Sequence, residues 1–444
     1  MAIPGDRFTA LCSEALDLAL DRVEAYRSWR SFDPGPKAGV DARYRALPAL
    51  TKRLMNAHAP GAFVPRGRSM EQGLRDGEIE LVTTSGTTED RIVNVWYQPW
   101  WDASERASWS LNAHAARVAT GDHREAILAS PLNVGFPSEV PLPAGRRRLG
   151  RFLFLNELVD PLAWPDAHCQ RMLDELAEYR PAVLEANPSL LSRLCRYAAR
   201  VGARPFQPGL ITLTYEYPSL LHRRHIAAVF DAPVVSSYGS TESGYVLMEC
   251  ERGRLHLNAA SCRVDFLPFA ADRADPAVGK LLITTLDNPW RSLVRFDAGD
   301  LGRMAEGPCP CGRSQGLALS SVEGRAINLT STPEGRVVTQ AEVDRRLAEV
   351  EGLEGYQLVQ EDERTYALRA VGDGDAAALA RRAEGALREL YGAAARISVS
   401  PADGIGPEPS GKHRLVKASL AIDSQALVEP SLRPPSPPEA GDRG

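Results

Sequence analysis

The chain has 444 residues, 44% of them hydrophobic and 25% charged, enough for two or three domains with sizeable cores. That composition excludes a collagen-like, coiled-coil or wholly disordered chain. Lys and Arg number 52 against 57 Asp and Glu, a net charge of −5, so no basic field recommends nucleic acid as a partner. The N-terminal segment patterns as an amphipathic helix, and no stretch has the apolar length of a bilayer span. Seven cysteines, odd in number and unevenly placed, argue against a secreted disulfide framework. The expectation is a cytoplasmic protein with no membrane partner.

In chain order, residues 1–56 carry apolar positions at helical spacing through Leu11, Ala15, Leu18 and Val23. Residues 80–83 predict a short strand running into a turn of small polar residues, and 126–129 predict another. Helices are predicted over 166–179 and 188–201, the second opening on Asn187 as a cap with Pro188 at its first position. A strand over 210–214, a helix over 219–230 and a strand over 233–237 follow, and then a strand over 280–285. This alternation predicts an α/β fold: a large layered N-terminal domain with mostly parallel sheets. Helices over 340–349 and 375–390, with strands near 366–368 and 396–399, predict a small α+β domain after it. The expected organisation is a large domain over 1–324, a mobile lid over 325–425 and a disordered, Pro-rich tail over 426–444.

Four segments carry chemistry. The first, LVTTSGTTEDR at 81–91, feeds a strand into a turn of hydroxyl residues around a glycine. Such a turn offers backbone N–H groups and the hydroxyls of Thr84, Ser85, Thr87 and Thr88 to an anion, with Gly86 allowing close approach. No Gly-Lys-Ser/Thr follows, so it is not the common phosphate loop. In SSYGSTES, 236–243, Tyr238 offers an aromatic face beside Gly239, Thr241 a hydroxyl, and Glu242 a carboxylate suited to a hard cation. Asp300 of RFDAGD stands on a turn where it could accept sugar hydroxyls. Lys412 of PEPSGKHR is a mobile positive charge able to approach a phosphate. Separately, Cys250, His256, Cys309 and Cys311 supply four soft ligands, enough for a closed tetrahedral zinc site, against the alternative of free thiols. Trp96, Trp100, Trp101 and Trp109 could line an aryl pocket or fill core. His222, His225 and Arg146 to Arg148 read as solvated surface, and Cys12, Cys169 and Cys195 as buried small hydrophobes.

Taken in order, LPALTKRL, TTSGTTED, RPAVLEANPSLLSRL, YEYP, SSYGSTES, RFDAGDLGR, CPCGR and SGKHR resemble the adenylate-forming superfamily of acyl-CoA synthetases, luciferases and peptide-synthetase adenylation domains. The phenylacetate–CoA ligase branch is the most similar. The resemblance implies ATP and Mg²⁺ as cofactors and Thr84 to Thr88 around the ATP phosphates. It places Glu216 and Tyr217 along the adenine with Tyr238 flanking it, Thr241 at the α-phosphate and Glu242 on Mg²⁺. Asp300 would hold the ribose, Arg325 would lie beside the ribose or phosphate, and Lys412 would meet the charge on the α-phosphate. It also strengthens the structural-zinc reading. The expected function is activation of a carboxylic acid, aromatic by this resemblance, as an acyl-adenylate with release of pyrophosphate. Coenzyme A is then the default acceptor.

The departures open alternatives. Glu89-Asp90-Arg91 stand where the family has Gly-Lys-Pro, and Ala326, Ile327 and Asn328 replace its acidic hinge, with Glu334 where a base is common. A carrier-protein thiol, an amine or another nucleophile could therefore replace CoA. A rival of another class is a non-catalytic, zinc-stabilised nucleotide-binding protein, and a homodimer stays open.

Overall fold

The computed structural model describes residues 5–83 and 92–437. Its centre is a 13-stranded sheet. One half is parallel: Phe152–Phe154, Glu125–Leu128, Val183–Ala186, Leu210–Leu213 and Val234–Ser240 lie side by side in that order. Three of these strands are buried at every position, as expected of parallel strands covered on both faces. Helices Asp166–Tyr179 and Pro188–Val201 pack on one face, where Leu173, Leu176, Leu191 and Leu194 join Leu128, Leu184 and Ile211 in one core. Asn187 precedes the second helix but does not cap it; its side-chain amide is buried without a hydrogen-bond partner.

The sheet then continues antiparallel through Gly244–Glu249, Leu255–Leu257, Ala318–Arg325, Phe296–Met304, Val278–Thr285 and Cys262–Pro268. The N-terminal region packs against this half. Helix Gly5–Arg22 is followed by a 3-10 segment, Glu24–Phe32, whose Tyr26 and Trp29 share a core with Leu293 and Phe296. Cys12, Cys169 and Cys195 are buried as expected. Arg147 departs from the surface reading of 146–148. It is fully buried, paired with Glu175 and Glu157, because its guanidinium also satisfies the carbonyls of Leu142 and Phe154.

The C-terminal part is a four-stranded sheet in the order Arg396–Pro401, Thr365–Gly372, Leu353–Gln360, Val416–Ala418. Helices Gln340–Leu347 and Ala376–Tyr391 pack on it over Tyr356, Leu358, Leu387 and Tyr391. A capping box, Thr339 with Glu342, starts the first helix and Asp375 caps the second.

The tail differs from expectation. Instead of leaving the molecule at 426, the chain returns to the large domain. The Leu427 carbonyl accepts from the Ala270 N–H at 2.8 Å, Glu429 N–H donates to Pro268 at 2.9 Å, and Val428 bridges Phe269. Leu427 and Val428 are buried beside Phe269 and Leu282. Two apolar residues suffice to anchor a segment whose composition is otherwise Pro-rich and polar. Among the described residues no helix is long and apolar enough to cross a membrane.

Candidate functional site

The C-terminal ends of the parallel strands, the usual ligand position in open α/β sheets, lie beside the adjoining hairpin. The hairpin of Val234–Ser240 and Gly244–Glu249 needs glycine at Gly239, where a Cβ would meet the Gly244 carbonyl oxygen at 2.2 Å. The turn between them presents Thr241, half-buried, and Glu242, which is buried. Arg291 holds this turn by donating to the Glu242 backbone carbonyl and to the Asn94 side chain. Burial lowers the Arg291 guanidinium to about 10, against the attraction of Glu242.

Asp300 and Arg325 are register partners on neighbouring antiparallel strands. Arg325 Nε lies 3.5 Å from the Asp300 carboxylate, and the Tyr238 hydroxyl donates to Asp300 at 2.9 Å. Burial raises the Asp300 carboxyl above its ordinary range, while Arg325 and the Tyr238 hydroxyl oppose that rise.

Lys412 reaches this group from the small domain. Burial lowers its ammonium from the ordinary lysine range and Arg325 adds to the effect, while Asp300, Glu242 and Glu216 oppose it. The loop carrying it is a tight turn in which Glu408 N–H donates to the Lys412 carbonyl at 2.8 Å and Gly411 N–H to Glu408 at 2.8 Å. Next to it, His413 N–H donates to Glu216 Oε2 at 3.0 Å. Glu216 Oε1 also accepts from the Ser189 N–H at 2.9 Å and from the Ser189 hydroxyl. Burial alone would raise the Glu216 carboxyl, but His413 and Ser189 hold it down at about 2.

Six of the residues singled out in the sequence, Glu216, Tyr238, Glu242, Asp300, Arg325 and Lys412, are thus brought together. Tyr217 is not among them: its ring packs on the small domain's core and its hydroxyl donates to Asp344 at 3.4 Å. Asp344 also accepts from the Leu220 N–H at 2.8 Å and the Tyr356 hydroxyl at 3.0 Å, and burial pushes it up to about 6. Thr84, Ser85, Gly86, Thr87 and Thr88 lie outside the described residues.

At the passage between domains, Glu323 is fully buried and takes Arg303, Arg345, Ser321 and Thr339 as partners. Asn328, in the replaced hinge, accepts from Arg414 at 2.7 Å and donates to Gln340 at 3.0 Å, while Ile327 is exposed.

At the other end of the antiparallel strands from Asp300 and Arg325, Cys250, His256, Cys309 and Cys311 converge, their ligand atoms all within 4.8 Å of one another. Cys250 Sγ and Cys309 Sγ are 3.8 Å apart, and Cys311 Sγ is 3.3 Å from His256 Nε2. Backbone N–H groups of Arg252 and Arg313 point at Cys250 and Cys311.

Sequence reasoning missed a buried carboxylate network of Glu105, Glu125 and Glu185. Glu105 accepts from the Tyr245 hydroxyl at 3.0 Å, Glu185 accepts from the Tyr215 hydroxyl, and Glu125 pairs with Arg151 at 2.9 Å and His123 at 3.1 Å. Burial, reinforced by the neighbouring Glu125, pushes Glu105 up to about 7 and Glu185 up to about 8. The available signal was a lone acid in an otherwise apolar strand, Val183-Leu184-Glu185-Ala186. Of the four tryptophans, Trp100 and Trp109 are packing residues, with Trp100 donating to the Leu286 carbonyl. Trp96 and Trp101 are half-exposed, 4.2 Å apart, with Trp101 5.2 Å from Tyr245.

No family model matches the chain, and no curated protein does. Solved structures do. 2-Hydroxyisobutyryl-CoA ligase in the postadenylation state, in complex with R3-HIB-AMP, superposes with a TM-score of 0.71 at 16% identity, covering 94% of this chain and 89% of that one. Its open conformation with 2-HIB-AMP and CoA gives 0.55 at 16% identity over 93% and 91%. Its thioesterification state with 2-HIB-AMP and CoA gives 0.53 at 18% identity over 93% and 89%. The chain therefore has the fold of an adenylating CoA ligase, a large α/β domain with a small C-terminal one. The resemblance to the adenylate-forming superfamily read in the sequence holds at the level of fold.

Proposed function

We propose that the chain is an ATP-dependent ligase that activates a carboxylic acid as an acyl-adenylate and then transfers the acyl group to an acceptor, with CoA the default. The observation that carries this reading is the convergence of Lys412, from the small domain, on Asp300, Glu242 and Arg325 of the large one. An oxygen of the acid's carboxylate bonds to the α-phosphorus of ATP as the bond to pyrophosphate breaks. Two anions meet in that step, so catalysis depends on positioning and on positive charge at the reacting phosphate. In this reading Asp300 accepts the ribose hydroxyls while Tyr238 orients it and flanks the base. Arg325 and Lys412 face the phosphate, Thr241 donates to it, and Thr84 to Thr88 receive the remaining phosphates.

Glu242 offers the hard oxygen ligand that Mg²⁺ requires, and the ion would supply charge neutralisation for the leaving pyrophosphate. The Cys/His cluster fits zinc by donor type and by spacing. Tetrahedral thiolates bound at ~2.3 Å lie about 3.8 Å apart, the separation of Cys250 and Cys309. Zinc held there would be structural. Support for an aromatic acid comes from the half-exposed Trp96, Trp101 and Tyr245, whose rings lie 4.2 and 5.2 Å apart near the hairpin that carries Glu242.

Acid-dependent exchange of labelled pyrophosphate into ATP, run across aryl and aliphatic acids, tests the reading. Lys412→Ala should lower the exchange rate on the order of a hundredfold, as loss of one preorganised charge does, with ATP binding much less affected. Absence of exchange with every acid, or near-normal exchange in the variant, overturns it.

A further inference from the structure

We infer that Glu216 is a positioning residue, which holds Lys412 toward Asp300 and Glu242 by gripping its neighbour His413. The inference rests on the ligase reading and names the residue that enforces its geometry. Among the described residues the Lys412 ammonium makes no ion pair. A lysine stem is flexible, so its charge is placed by the backbone that carries it. That backbone is clamped on both sides. Gly411 has φ +79°, and a Cβ there would meet Ser130 Oγ of the large domain at 2.2 Å, so the turn sits directly on Ser130 and needs glycine twice over. On the other side His413 N–H donates to Glu216 at 3.0 Å, a contact that spans 197 positions of sequence and joins the two domains.

Proton accounting strengthens the grip. The Ser189 hydroxyl has one hydrogen and gives it to Glu216, so its oxygen, 2.9 Å from His413 Nδ1, must accept from an Nδ1–H. His413 is thereby oriented through both its backbone and its ring, whether or not Nε2 is protonated. Glu216 collects donors from Ser189 N–H, Ser189 Oγ–H and His413 N–H, and hydrogen bonds to an ionised acceptor are the strong ones. An interaction of this kind is a poor fit to a group whose task is to lie along a purine. It fits a group that fixes a loop.

The test uses the full chain with Glu216→Gln, Glu216→Asp, Lys412→Ala and the Glu216→Gln/Lys412→Ala double variant. Pyrophosphate exchange and backbone hydrogen exchange over 408–414 are followed in the same preparations. Glu216→Gln should lower kcat of exchange roughly 10- to 100-fold, no more than Lys412→Ala does, with KM for ATP within about threefold, since it misplaces a charge needed at the reacting phosphate. Glu216→Asp should recover part of the loss, and the amides of 411–414 should exchange at least about tenfold faster in Glu216→Gln. Adding Glu216→Gln to Lys412→Ala should cost no more than about twofold, because residues that act through one another are not additive. Losses that multiply in the double variant, or unchanged protection of the His413 amide, overturn the inference. If wild type exchanges pyrophosphate with no acid, the ligase reading falls while hydrogen exchange still decides the grip. Should Glu216→Gln fail to fold, Ser189→Ala removes only the hydroxyl and should deprotect the same amides; unchanged protection there also counts against it.

Discussion

Replacing Glu185 by Gln should make the protein more stable at alkaline pH and leave it little changed at acid pH. Glu185 is buried in the parallel half of the sheet, and its carboxyl is pushed up from about 4.5 to about 8 by burial and by Glu125. A group whose pKa is higher in the folded state binds its proton there while the unfolded chain has released it. Its contribution to stability is therefore complete below about pH 4.5 and is lost as pH rises to about 8. The loss runs at roughly 1.4 kcal/mol per pH unit, on the order of 5 kcal/mol across the window. Gln keeps the size and a carbonyl oxygen to accept from the Tyr215 hydroxyl, but has no proton to lose. Denaturant unfolding of wild type and Glu185→Gln between pH 5 and 8.5, with equal m-values, measures the difference directly. The variant should gain on wild type by roughly 1 to 1.5 kcal/mol for each unit of pH. A difference that stays constant with pH, or a variant less stable than wild type at pH 8, would refute the reasoning.

Purified protein should carry about one zinc per chain, and Cys309→Ser or Cys311→Ser should lower both the metal content and the melting temperature, because structural zinc contributes folding energy; metal-free protein with an unchanged melting temperature removes the ligand set. Deleting residues 424–444 uncovers the site of Leu427 and Val428 and should cost about 2–4 kcal/mol of stability; an unchanged unfolding midpoint contradicts the docked tail. With the right acid, adenylation should proceed readily while CoA dependence stays comparatively weak, since Asn328 is tied to Arg414 and Gln340 where the chain must turn. Fast, saturable acyl-CoA formation at micromolar CoA defeats that expectation.

Much of the parallel half of the fold was legible: the strands near 126–129, 210–214 and 233–237 were read, whereas Phe152–Phe154 and Val183–Ala186 were not. Helices Asp166–Tyr179 and Pro188–Val201 coincide with the ranges read from apolar spacing and from Pro188. Of the antiparallel half only Val278–Thr285 was read, because short strands such as Leu255–Leu257 leave no measurable period and are fixed only by pairing with distant partners. Asp300, Glu242 and Lys412 were singled out through the resemblance that their motifs carry in order. The partners of Glu216 were not, because nothing in YEYP announces a contact with His413. Composition misled at Arg147 and at Leu427 and Val428, since a basic run and a Pro-rich tail each hide residues that the interior needs.

The return of the chain from the small domain bears on how that domain can turn. It is joined to the large one twice, through 325–330 on the way out and 419–423 on the way back, and Leu329 and Leu427 share one apolar cluster, so the two joints lie side by side. A body held by a single strand of backbone can swing and twist about any direction; one held by two is confined to the line through both. The returning segment spans five residues before Ser424, which accepts from Lys280, itself paired with Asp297 at 2.6 Å. Fully drawn out, five residues reach about 17 Å. Rotation within that slack leaves the anchor seated, and rotation beyond it must first pull Leu427 and Val428 out of the large domain, so the length of this strap sets the largest turn the small domain can make without partial unfolding.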